Sequence, residues 1–377
     1  MSNDPRGAIG FAEKVLELLD EGRYTSTYKF AVLLALLDLC LEGTQASGAP
    51  PEMVTTRQLA LKVVELYWPH SVPFVGRSPG AVLRQNNNGQ AEIVTTIRNF
   101  RQQHAADPSV PHWESRMAAP TAYARLVKKV EWKLIEMPLP RLQTMGHAQR
   151  EFIYRIAWDT QILQGDLVEY LDGAASSFDN RVLLLPYVGE YLVQLNGLLR
   201  PLIQRRWTAM IAHVNRLEES QLEVFLFGAS RTPTARVRAG LWEIQEKRCF
   251  YCEARIADPA GAEVDHFVPW ARYADDGLDN FVVADTMCNG SKSSSLAADA
   301  HLSRWTRRFV QESTECDAFT QLAAKTRWVR DPGRSLSVAR AIYPRLPHDA
   351  RLWLRGREFV PPHTSVIAKA LAVQTLC

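Results

Sequence analysis

The chain has 377 residues, 46% of them hydrophobic and 23% charged, with ten tryptophans and a formal net charge of +3. That length supports two or three domains with ample cores, the composition excludes global disorder, and so small a charge neither demands nor excludes a nucleic-acid partner. Six cysteines at 40, 249, 252, 288, 316 and 377, and a start, Met-Ser-Asn-Asp-Pro, with no basic region leading into an apolar one, are read as a cytoplasmic, reducing setting. The longest apolar run, Phe30 to Leu41, is interrupted by Asp38 and falls short of the roughly 18 residues a membrane span needs, so no membrane partner is expected.

In chain order, Phe11, Val15, Leu18 and Leu19 recur at helical spacing, and Gly22 is expected as a left-handed cap. Tyr28 to Leu41 is apolar nearly all round, which predicts a helix central to its domain. Thr55-Thr56 opens a helix over 57–68 that Pro69 closes. A polar turn at Asn86-Asn87-Asn88-Gly89 precedes an amphipathic helix carrying Ile93, Ile97 and Phe100, an order that suits either a helix-turn-helix reader or plain helical packing.

Val130, Trp132 and Leu134 alternate with charged residues, which predicts a strand, and Phe152 to Trp158 is expected as a second one. Residues 181–226 read as helical with breaks at Pro186 and Pro201. Thr232-Pro-Thr is expected to cap a helix over 235–247, Leu296 to Val310 is helical, and turns are expected at Asp331-Pro-Gly and Pro361-Pro. The fold class expected is α+β, mostly α-helical. Its parts are a helical domain over 1–175 with a small β element, a helical connector over 176–247, a compact module over 248–310 and an Arg/Trp-rich helical region over 311–377.

The chemistry concentrates between Cys249 and Lys292. Cys249 and Cys252 have the C-x2-C spacing that aims two thiolates at one Zn²⁺, and Cys288 is placed to join them. The partner position for Cys288 holds Asp285; that carboxylate, His301, or neither supplies the fourth ligand. Glu263-Val264-Asp265-His266 reads as a strand with Phe267-Val268-Pro269 after it, and Phe281 to Ala284 as another. Asn280, Asn289 and Lys292 follow the Asp-His pair.

This combination resembles the HNH, or ββα-metal, endonucleases of the zinc-bearing branch, over about Arg248 to Leu296. The resemblance implies a metal-dependent nuclease in which Asp265 and Asn289 hold a catalytic Mg²⁺ or Mn²⁺, oxygen donors suiting such a hard cation. It implies that His266 is the general base and that Asn280 ties down the loop between the strands. Lys292, Arg304 and Arg308 are expected to meet phosphate. In outline the chain is similar to bacterial HNH proteins with a helical N-terminal region, for which defence against foreign DNA is the expected setting.

Double-stranded DNA is therefore the expected partner, with a protein partner or a second copy meeting the N-terminal helices. A nucleic-acid-binding adaptor that does not cut and a nuclease acting on RNA are the competing readings. The arginines after 304, interleaved with Trp305, Trp328, Tyr343 and Trp353, are either a phosphate-tracking surface or a packed helical region with solvated charges.

Overall fold

A computed structural model of the chain describes residues 5–22, 24–74, 81–105, 107, 109–145, 148–174, 176–228, 234–310 and 313–373. The chain divides into two compact units, the first comprising 1–40 and 51–230 and the second 41–50 and 231–377. The fold is α+β and mostly helical. Among the described residues no helix is long and apolar enough to cross a membrane.

In order, the first part of the chain forms α1 (Pro5–Glu21), α2 (Tyr28–Glu42), β1 (Met53–Thr55), α3 (Thr56–Tyr67), α4 (Glu92–His104), α5 (His112–Ala118) and α6 (Pro120–Glu136). Next come β2 (Thr144–Met145), β3 (Ala148–Gln149), β4 (Tyr154–Arg155), α7 (Val168–Leu171), β5 (Arg181–Leu184), α8 (Val188–Gln194), α9 (Asn196–Asn215) and α10 (Glu223–Phe227). Every residue from Phe30 to Leu37 is buried, because α2 is apolar on all sides and can only sit inside the unit. α3 starts where Thr55 accepts the Gln58 amide and Gln58 answers with the Thr55 amide, a reciprocal cap.

Several sequence expectations are corrected. Residues 129–134 are not a strand but the middle of α6, whose buried positions Tyr123, Leu126, Val127, Val130 and Leu134 follow the helical period; five alternating residues fit both periods. Of Phe152 to Trp158 only Tyr154–Arg155 is strand, and Arg181–Leu184 is strand instead of helix, paired antiparallel with both β1 and β4. Pro201 lies inside α9 without ending it. Gly22 is not left-handed; a Cβ there would stand 2.4 Å from the Leu18 carbonyl oxygen and 2.7 Å from the Tyr24 ring, so close approach is what requires glycine.

A buried polar chain crosses the first unit. Tyr67 donates to Thr27 Oγ1, which donates to Gln85 Oε1, and Trp207 Nε1 donates to that same oxygen at 2.8 Å. The Gln85 amide nitrogen then lies 3.1 Å from His70 Nδ1, while His70 Nε2 meets the Leu226 carbonyl at 3.0 Å. A carbonyl can only accept, so Nε2 carries the proton and Nδ1 accepts from Gln85, which makes the imidazole neutral. Burial pushes the His70 pKa down to about 3, against a small opposing pull from Leu226.

The second unit begins with α11 (Ala235–Ile244), shorter than expected because Glu246 and Lys247 turn into the left-handed region. Thr232 and Pro233 of the expected cap lie outside the described residues. Then come β6 (Glu263–His266), β7 (Phe281–Ala284), α12 (Thr286–Lys292), α13 (Asp299–Arg307), α14 (Thr314–Thr326), α15 (Pro332–Ile342), β8 (Leu352–Arg355), β9 (Glu358–Val360) and α16 (Thr364–Leu371). β6 and β7 are an antiparallel pair with Asp265 opposite Val282 and His266 opposite Phe281. The core beneath is aromatic, with Phe267 stacked on Trp305 at 4.5 Å and Trp353 fully buried. Asp331-Pro-Gly is a helix start, not a turn: the Asp331 carboxylate accepts the Arg334 amide and Pro332 fills the first helical position, where no N–H is needed.

The His70 ring gives a pH prediction for the first unit. Its folded pKa lies below the unfolded value of about 6.5, so the unfolded chain takes up a proton that the folded one refuses. Stability contributed by the neutral ring is complete above that value and lost as pH falls towards 3, at up to about 1.4 kcal/mol per pH unit. Urea midpoints of wild type and His70→Gln between pH 7 and 5 should therefore converge as the pH is lowered.

Candidate active site

α11 delivers the chain to a tight turn in which the Cys249 amide donates to Ala254 and the Glu253 amide donates back to Cys249, with Glu253 left-handed. The turn is fastened to the outer edge of β7. The Phe250 amide donates to the Val283 carbonyl at 2.8 Å, and the Gln245 side chain brackets Val283, accepting its N–H and donating to its carbonyl. This brings Cys249 and Cys252 beside the end of β7, where Asp285 and Cys288 follow in sequence. The ligand atoms of Cys249, Cys252, Asp285 and Cys288 all lie within 4.8 Å of one another.

Three thiols and a carboxylate at that separation suit a tetrahedral Zn²⁺, for which sulfur sits about 2.3 Å and oxygen about 2.0–2.2 Å from the metal. Asp285 does two jobs at once. One oxygen accepts the Cys288 amide at 2.8 Å and so caps α12, and the other takes the Cys252 thiol at 3.0 Å. Burial works to raise its pKa, yet hydrogen bonds from Cys249, Cys252 and Cys288 outweigh it and hold the carboxyl down at about 2. Burial pushes the Cys249 thiol up to about 11 and Cys288 well above its ordinary value. His301 is elsewhere: it meets the Leu354 carbonyl at 2.8 Å and stacks on Trp353.

On the hairpin, residues two apart share a strand face, so Glu263 and Asp265 project together, and α12 supplies a partner to each. Asn289 donates its amide N–H to Glu263, and the Lys292 ammonium lies 2.9 Å from Asp265 Oδ2. Tyr251 donates to that same Asp265 oxygen at 2.6 Å. The donor set here is two carboxylates and, since the Asn289 nitrogen is spent on Glu263, the Asn289 amide oxygen. These are hard oxygen donors and fit Mg²⁺ or Mn²⁺.

β6 ends at His266, so Asp265 and His266 stand at the same end of the hairpin. The imidazole lies edge-on to Phe281 at 5.0 Å and to Trp270 at 5.4 Å. Its Nε2 is 2.9 Å from Asp276 Oδ1. A carboxylate accepts, so Nε2 bears a proton, and in the neutral imidazole the lone pair is on Nδ1. Asn280 spans the loop between the strands: it accepts the Val268 amide at 2.8 Å and donates to the carbonyls of Val268 and Asp275, both at 3.1 Å. The loop carbonyl of Asp276 also accepts from Trp328 Nε1 at 2.7 Å.

Two residues were not singled out in the sequence. Asp276 was one more acid in a polar loop, and no spacing rule links it to His266. Glu263 carried a legible signal, its position two residues before Asp265 on the same strand.

The three cations expected to meet phosphate all have partners within the module. The Lys292 side chain is fully buried, with its ammonium on Asp265 and on the His266 carbonyl at 2.9 Å, and burial pushes its pKa below the ordinary lysine value while Asp265 opposes the shift. Arg308 is buried, donates twice to the Phe281 carbonyl and covers the Phe319 ring at 4.8 Å. Arg304 donates to the Phe250 carbonyl and to Glu253. Lys292 and Arg308 hold the module together from within, whereas Arg304 is half-buried at its surface.

Residues 249–298 match the HNH endonuclease family, covering the thiol turn, the hairpin and α12. Residues 9–225, more than half of the chain, match a domain of unknown function (DUF8808). No curated protein matches the chain.

Two outcomes follow from this geometry. Purified protein should carry about one equivalent of zinc by elemental analysis, and Cys249→Ala should carry almost none and melt at a lower temperature. Lys292→Met, which leaves Asp265 buried beside no cation, should cost about 3–5 kcal/mol in urea unfolding of the second unit.

Proposed function

Because the chain belongs to the DUF8808 family and carries an HNH endonuclease module in its second unit, we propose that it hydrolyses phosphodiester bonds in double-stranded DNA. The observation that carries the reading is the end of β6. There Asp265 is held by Lys292 of α12, Asn289 of the same helix is bonded to Glu263 two residues before Asp265, and His266 is fixed through Nε2 by Asp276.

His266 is the general base: Nδ1 takes the proton of the attacking water, and the Asp276 carboxylate, holding Nε2–H, keeps the ring in the right tautomer and stabilises the imidazolium that forms. Asp265 and Asn289, with Glu263 beside Asn289, would hold Mg²⁺ or Mn²⁺, which would offset the charge developing on the phosphate and the leaving oxygen. Tyr251 and Lys292 pin Asp265 Oδ2 and so orient the other carboxylate oxygen. Asn280 keeps the loop that carries Asp276 at its distance from His266. Zn²⁺ on Cys249, Cys252, Cys288 and Asp285 is structural, since all four protein ligands are present and none is left to substrate.

The test is conversion of supercoiled plasmid in Mg²⁺ or Mn²⁺, with single-stranded DNA and RNA of equal length alongside. Wild type should cut the plasmid. His266→Ala should lose about 10²–10⁴-fold in rate, and Asp276→Asn should lose activity without losing DNA affinity. A wild type that shifts plasmid in a gel yet never cuts it, in either metal, leaves the adaptor reading standing. Preferential digestion of RNA moves the substrate class.

A further inference from the structure

Among the described residues of the first unit, one face of α4 is left exposed. Its buried side is Ile93, Val94, Ile97 and Phe100, with Arg101 turned inward against the Trp68 ring at 4.4 Å. The opposite side is Thr95, Asn99, Gln102 and Gln103, all exposed, with Arg98 half-exposed at the margin. At 3.6 residues per turn these five positions span an arc of roughly 140°. The one acid on the helix, Glu92, is at its N-terminal end and is ion-paired with Lys133 at 2.7 Å.

The ridge stands between two depressions. One, of about 510 Å³, is lined by Arg84, Gln90, Arg98 and Gln102 among others, and the second, of about 320 Å³, by Gln103, His104, Arg125 and Lys129, with Asn99 bordering both. Arg125 and Lys129 lie on the exposed side of α6. A polar, uncharged crest thus has a groove and cations on either side.

Each part of that arrangement has a counterpart on B-form DNA. The major groove, about 12 Å wide, admits a helix with its side chains, and asparagine, glutamine and arginine are the side chains that pair with adenine and guanine edges there. The phosphate strands that wall the groove would pass through the two depressions, where Arg84 and Arg98 stand on one side and Arg125 and Lys129 on the other. The major groove of A-form RNA is too narrow and deep for such a helix. A protein partner would more often be met by an apolar or aromatic crest; this one has neither.

We infer that α4 is a DNA-reading helix which enters the major groove of double-stranded DNA, with Asn99, Gln102 and Gln103 on base edges and Arg98, Arg125 and Lys129 on phosphates. This assigns target reading to the first unit, and it stands apart from whether the second unit cuts.

The experiment uses the full chain carrying His266→Ala, so that DNA survives, with labelled 30-base-pair duplexes from a random-sequence pool in a fluorescence anisotropy titration. Arg98→Gln/Arg125→Gln/Lys129→Gln should weaken duplex affinity at least tenfold and lower the slope of log affinity against log salt by about two to three. Asn99→Ala/Gln102→Ala/Gln103→Ala should abolish the sequence enrichment seen over rounds of selection while leaving the salt slope in place. The matched surface control Arg150→Gln/Arg155→Gln/Arg205→Gln should change neither.

Unaltered affinity in the basic triple variant, an equal loss in the control, or equally tight and equally sensitive binding of duplex RNA each overturns the inference. All the substituted positions are exposed or half-exposed, and circular dichroism of each variant confirms that the comparison is between folded chains. Plasmid cutting by the wild type is scored separately. A chain that never cuts but loses duplex affinity through α4 sinks the nuclease reading alone; one that cuts while its α4 variants bind like the parent sinks this inference alone.

Discussion

The Asp285 carboxylate accepts the Cys288 amide with one oxygen and the Cys252 thiol with the other, and through that pair of contacts three separate pieces of chain acquire one geometry. β7 ends at Ala284, α12 begins at Thr286, and the thiol turn arrives from 249–252. A seven-residue helix is too short to be stable on propensity alone, so the cap and the thiol cluster are what place α12 over β6. Asn289 and Lys292 reach Glu263 and Asp265 only because that placement holds. The acidic cluster on β6 and the cysteine cluster are therefore mechanically one object, although they share no ligand.

The second unit also shows where arginine goes when it is not on the surface. Arg330 is bound to Asp279 and to the Cys316 carbonyl, Arg340 to the carbonyls of Leu371 and Val373, and Arg345 to the carbonyls of Arg340, Ala341 and Gly48. Carbonyls at helix ends have no intrahelical donor, and a guanidinium with five N–H groups can serve several of them at once. Burial is costly for such a charge, and it pushes Arg308 down to about 10. The compensation is a short-helix region held by planar, multidentate donors on backbone oxygen.

Much of the module was legible because its chemistry is carried by residue type at fixed offsets. The Asp-His pair, Asn280 and Asn289 stand out in any register, and Phe281–Ala284 is buried on both faces, so four consecutive apolar residues mark the strand without any need for alternation. What was lost depends on distance in space. The alternation at 129–134 was too short a window to separate a period of 2 from one of 3.6. An arginine count reports charge and says nothing of which carbonyl faces it, which is why the burial of Arg308 against the Phe281 carbonyl has no signature in the sequence. Asp276 meets His266 only after the loop between the strands has closed on Asn280.

Residues 41–50 belong to the second unit, although 180 or more residues separate them from the rest of it in sequence. Within that unit Glu42 accepts from Tyr273 and lies 3.7 Å from Arg334, and the Gly48 carbonyl accepts from Arg345 at 2.6 Å. A fragment begun at residue 231, the obvious cut for anyone isolating the second unit, would lack these acceptors and take one partner each from two guanidinium groups and a phenol. The unit has a sequence boundary and a folding boundary, and they differ by ten residues; a minimal version of it has to be built as an insertion, with 41–50 supplied through a linker, not as a truncation.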